Sequence, residues 1–177
     1  MIVERMIIAT GSAFNLQDLA AHCRVDTSDD DLSLYRDGQA AAAELEHYAQ
    51  LALLTQTIRV TLPCWPRSCW FNLPISPLID PLSVAITADG VAYLPFGIVK
   101  GLRPAVHLTE DRPAGLIVVT YNAGFGGSAS DVPTDLRLAI LDQAAAFYDL
   151  RGAGDGKTNG MSPHMARVAA RYRRVAL

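Results

Sequence analysis

The sequence contains no long apolar run. Its longest uncharged stretch, residues 113–130, is interrupted by Gly115, Asn122, Gly124, Gly126 and Gly127. It therefore fails as a membrane-spanning helix, which needs about 20 predominantly apolar residues, and no membrane partner is expected. Cysteine is scarce as well. Cys23, Cys64 and Cys69 are an odd number without disulfide-framework spacing, which predicts a reducing cytoplasm. His22, His47, His107 and His164 are scattered, and the Cys64/Cys69 pair lacks the four ligands of a zinc site, so neither metal nor cofactor is expected. There is no Gly-x-Ser-x-Gly elbow and no cysteine with a motif-placed histidine. The segment "GAGDGKTNG" ends like a phosphate-binding loop at Gly156, Lys157 and Thr158. The glycine required five residues before Gly156 is Arg151, however, and a helical pattern precedes it where a buried strand is needed. Nothing in the sequence recommends an enzyme.

What is present is a globular composition. The chain has 177 residues, of which 50% are hydrophobic and 19% charged, enough for one domain with a sizeable core. The formal net charge of -3 gives no general attraction to nucleic acid. The charge is nevertheless uneven. Between residues 26 and 46, Asp26, Asp29, Asp30, Asp31, Asp37, Glu44 and Glu46 stand against Arg36 alone, whereas residues 156–177 carry Lys157, Arg167, Arg171, Arg173 and Arg174 with no acid. An acidic front and a basic tail predict complementary contacts between copies.

Periodicity gives the elements. The opening "MIVERMIIATG" places Glu4 and Arg5 where an export signal would be apolar, and predicts a short strand. In "FNLQDLAAHCRVD", Leu16, Leu19, Ala20 and Cys23 share a helical face behind an Asn15 cap. A second helix is predicted over residues 31–52 with Leu32, Tyr35, Ala42, Leu45 and Ala49 as its apolar stripe, weakened by Gly38. "TIRVTL" alternates as a strand, and "SVAITADGVAYL" holds Asp89-Gly90, a dipeptide suited to a tight hairpin. "GLIVVTYNAG" is apolar enough for burial on both faces. Frequent prolines from residue 63 to 104 predict short, irregular pieces. Helix returns near residues 133–150, with Leu136, Ile140, Ala144 and Phe147 as its stripe and Gly152 as its stop. The expected fold class is α+β: mainly a helical bundle of two N-terminal helices, this long helix and a C-terminal tail helix, with a small antiparallel β region inserted at about residues 57–122.

This order, together with "LQDLAAHCRVDTSDDD", "LLTQTIRVTL", "YNAGFGGSASDVPTDLRLAILDQAAAFYDLRG" and "MSPHMARVAARYRRV", resembles the head-tail connector, or adaptor, family of long-tailed bacteriophages and gene transfer agents. The resemblance spans most of the chain and rests on diffuse patterns. It implies a structural protein of the virion neck, assembled in the host cytoplasm. In that family the subunits form a ring, twelvefold, beneath the portal protein, extend the DNA channel without sequence-specific binding, and receive the next neck or tail protein. Residues 1–152 would then be the adaptor domain, and residues 153–177 a flexible linker and basic docking tail.

The tail and the aromatics are the candidate binding residues. Arg167, Arg171 and Arg174 recur at helical spacing opposite Met165, Val168 and Tyr172, and with Arg173 they form the expected contact to the portal or a neighbouring subunit. Two other readings of the tail stay open: a terminal helix packed on its own core with a solvated basic face, and a DNA-binding tail of an accessory protein. For the chain as a whole a small hydrolase is the lesser alternative, and it would need a concave pocket with convergent titratable groups that the sequence does not reveal. Trp65, Trp70 and Phe71 are read equally as plugs of the β region or as partner anchors.

Overall fold

Alternating residues at the start of the chain form a strand, β1 (Ile2–Ile7), in a computed structural model that describes residues 1–101, 103–150 and 160–173. Two helices follow, α1 (Leu16–His22) and α2 (Asp31–Ala49), and then seven strands: β2 (Gln56–Leu62), β3 (Trp70–Asn72), β4 (Ala85–Ala88), β5 (Val91–Ala92), β6 (Phe96–Val99), β7 (Ala105–Leu108) and β8 (Ile117–Ala123). The last elements are α3 (Thr134–Asp149) and α4 (Pro163–Tyr172).

The strands build two antiparallel sheets, one ordered β1-β2-β8-β4-β5 and the other β3-β7-β6. In β2 and β8 alternate residues are buried, so Ile58, Val60, Val119 and Tyr121 point inward while Arg59 and Thr120 point out. β8 was expected to be buried on both faces; its outer residues are only half-buried, because among the described residues no layer covers that side. The inner faces of the two sheets share one core with Trp65, Phe71 and Val106. The Asp89-Gly90 turn forms as expected, with φ angles of 48° and 83° that suit a two-residue hairpin.

The helices enclose a second core. Asn15 caps α1 by accepting a hydrogen bond from the Gln17 N–H at 2.9 Å. α2 brings Gly38 so close to Phe14 that a Cβ there would overlap the ring; the helix-weakening glycine is required by packing. Tyr148, near the end of α3, donates to Asp30 before α2, and Tyr172, at the end of α4, donates to Asp135 at the start of α3. α3 therefore reverses α2 and α4 reverses α3, so α2 and α4 run in the same direction.

Three expectations need correction. The fold is α+β but not mainly a helical bundle, since only 38% is helical and eight strands form two sheets. Nor is the β region an insertion at residues 57–122, because β1 precedes the helices and pairs along its whole length with β2. The misreading has a physical cause. Strands of two to four residues, such as β3, β5 and β6, are too short for a period of two to register, and the prolines sit between them. Third, α2 stops at Ala49, where Gln50 turns left-handed with φ 55°. Its buried stripe is Leu34, Gly38, Ala41, Ala42, Leu45 and Ala49, leaving Leu32 64% exposed and Tyr35 41% exposed. The long-helix stripe does form, with Leu136, Ile140 and Ala144 buried. The expected stop at Gly152 and the glycine linker lie outside the described residues.

Candidate assembly surfaces

The C-terminal segment forms a helix because Ser162 caps it, accepting from the Met165 N–H at 3.1 Å, and Pro163 fits its first turn. Gln143 of α3, itself buried, accepts from the Ser162 N–H at 2.6 Å and so anchors the start of α4. Met165 and Val168 are buried in the helical core with Ala169. Tyr172 is half-buried, and burial together with its bond to the Asp135 carboxylate pushes its hydroxyl pKa up. Arg173 lies over the Tyr48 ring at 4.8 Å, and its carbonyl accepts from Arg103. The apolar side of the tail thus faces its own subunit, and the side chains it offers to solvent include Arg167 and Arg171. Arg174 lies outside the described residues.

The aromatic trio divides. Trp65 and Phe71 belong to the sheet core, their ring centroids 5.6 Å apart, and the Trp65 indole N–H donates to the Ser68 carbonyl. Trp70 is 48% exposed on the outer face of the smaller sheet and packs against His107, the rings tilted by 43° with centroids 4.4 Å apart. Of the three, Trp70 is the one available as an anchor.

Two polar arrangements were not anticipated. Asp142 of α3 accepts from His22 of α1 at 3.0 Å and is paired with His164 of α4, so one carboxylate ties together three helices. The second is Glu46, which accepts from the Leu53 N–H at 2.6 Å, from Gln56 Nε2 at 2.9 Å and from Arg5 at 3.1 Å. Burial raises the Glu46 pKa, against the opposing pull of the Leu53 amide, Arg5 and Gln56. Neither cluster has a sequence signature, since its members come from separate elements. Glu46, Gln56 and Leu53 line a slot of about 180 Å³ between the segment after β1 (Ala9, Gly11, Ala13) and α2 (Gln39, Ala42, Ala43). Among the described residues no group of three or more His, Cys, Asp or Glu side chains is placed to hold a metal ion.

No protein-family model matches the chain, and no curated protein matches it. Solved structures do. A chain in the neck of an empty gene transfer agent particle, computed with C6 symmetry, superposes with a TM-score of 0.81 at 26% identity, over 100% of this chain and 97% of that one. The chain has the fold of a gene transfer agent neck protein. A chain in the virion of a native gene transfer agent particle gives a TM-score of 0.80 at 24% identity, and one in a native neck computed with C12 symmetry gives 0.79 at 24%, both with the same coverage. The head-tail connector resemblance is therefore borne out by neighbours that span the whole fold, including both sheets. These neighbours support a structural neck protein located in the virion, in a multi-subunit ring.

Proposed function

We propose that the protein is the head-tail adaptor of its particle: a ring subunit that binds beneath the portal protein, extends the DNA channel and receives the next neck or tail protein. The observation that carries this reading is the superposition on a neck chain over 100% of this chain and 97% of that one, since a shared sheet or helix pair alone would not extend to every element. A ring of twelve copies is the corresponding stoichiometry, and the C12 neck supports it. Arg167 and Arg171 of α4 and the exposed Trp70 are the proposed contacts to portal or neighbour, because guanidinium groups and aromatic side chains are favoured interface anchors. With a net charge of -3, the ring surrounds DNA without needing to bind it.

A head-tail joining assay tests the proposal. Particles made without this chain are expected to accumulate as filled heads lacking tails, and purified protein is expected to restore joining. Tailed particles in its absence would refute the adaptor role.

A further inference from the structure

Leu82 is the most exposed large apolar side chain among the described residues, at 91%. A single exposed leucine needs no partner, but this one stands on a fixed support. It lies in a short 3₁₀ helix (Pro81–Ser83) between β3 and β4. Asp80 Oδ1 accepts from the Leu82 N–H at 2.9 Å, and the Ser83 hydroxyl donates to the Asp80 carbonyl at 2.6 Å while accepting from the Asn122 N–H of β8 at 3.1 Å. The leucine is thus held out in an ordered position, which lowers the cost of inserting it into a partner. Among the described residues no cation pairs with Asp80. Leu94, next in exposure at 80%, is flanked by Tyr93 and Pro95 and brings no carboxylate.

The helical layer holds a groove with matching chemistry. It has a volume of about 210 Å³ and lies between the start of α1 and α3. Phe14, Leu138 and Leu141 give it apolar walls, and its lining also includes Arg137 and the exposed Asp18. Of the five N–H donors of a guanidinium, Arg137 engages one, from Nη2 to the Thr134 hydroxyl at 3.2 Å, and its Nε–H is buried without an acceptor. Among the described residues no carboxylate pairs with it. The groove therefore suits an aliphatic side chain with a carboxylate close beside it, since the carboxylate would meet the unmet donors.

Asp80 and Leu82 present that combination on one turn. They do not use it within their own subunit, because Leu82 stays exposed and Asp80 is not paired with Arg137. A closed ring joins two unlike surfaces of the same chain. Resting on the ring reading above, we propose that Leu82 of one copy fills the groove between α1 and α3 of the adjacent copy, with Asp80 paired to that copy's Arg137. The partner is a second copy of this chain.

Disulfide trapping in assembled particles tests this. In a full chain with Cys64→Ser and Cys69→Ser, Leu82→Cys is combined with Leu138→Cys, and purified particles are oxidised and run without reductant. Both positions are exposed in the subunit, at 91% and 44%, so the fold is expected to tolerate the changes. A ladder of covalent oligomers is expected from the double variant and none from either single variant, because a disulfide requires Cα atoms within about 7 Å. In parallel, Leu82→Ala is expected to leave the melting temperature unchanged and to lower incorporation into necks about tenfold, as loss of an interface anchor does. Arg137→Asp is expected to lower incorporation as well, and adding Asp80→Arg to restore it by exchanging the charges. Rings visible by electron microscopy that yield no ladder would overturn this contact while leaving the ring intact, as would covalent linkage of Leu82→Cys to a different neck protein. Particles without a ring of this chain would overturn the ring reading itself, and the contact with it.

Discussion

At the scale of single residues, burial and charge decide what each position tolerates. Glu46 has a folded-state pKa above its ordinary value because burial penalises its charged form. The folded protein thus holds that proton more readily than the unfolded chain. The penalty opposes folding above the raised pKa and disappears as the pH falls through it. Glu46→Gln, uncharged throughout, is accordingly expected to gain on the parent as the pH rises from about 4 to 7. Melting temperatures of both proteins across that range check this, and a difference that does not vary with pH would contradict it. Gly38 poses the opposite case. Helix propensity alone predicts that Gly38→Ala stabilises α2 by about 1 kcal/mol, but the Phe14 ring occupies the space a Cβ would need. The expected outcome is a net loss of about 1–3 kcal/mol from overpacking, read by denaturant unfolding.

At the scale of elements, the test is whether α4 is part of the fold. Met165 is fully buried, so Met165→Ala is expected to cost about 2–5 kcal/mol, whereas Arg167→Ala, on the exposed side, should stay within about 0.5 kcal/mol. Thermal melting separates the two, and equal effects would mean that α4 is not docked as described. By the same reasoning, removing residues 162–177 is expected to destabilise the subunit instead of freeing an independent tail. The sequence made the helices legible wherever a single period persisted for several turns, as along Leu136, Ile140 and Ala144. Asn15 and the Asp89-Gly90 turn were legible because their chemistry is local. Leu32 and Tyr35 misled because an apolar residue at the start of α2 can lie on its exposed face, and composition alone does not say which side the core occupies. The strand pairing of β1 with β2 and the Asp142 and Glu46 clusters depend on contacts between distant segments, which no spacing records. The basic tail was legible as a helix with two unlike faces, but its destination was not: Met165 and Val168 fill the subunit's own core.

At the scale of the whole molecule, two cores divide the work. The sheet core holds Trp65, Phe71 and Tyr121, whose hydroxyl is bonded to both backbone groups of Ile75, and it presents Trp70 outward. The helical core fixes α2 and α4 side by side. The central claim is that this chain forms the ring at the head-tail junction. The most direct measurement is electron cryomicroscopy of tailed particles reconstructed without imposed symmetry. The account predicts a closed ring of this chain between portal and tail, with both sheets and α4 fitted in every subunit. A junction built without the chain, or one holding single isolated copies of it, would contradict the account.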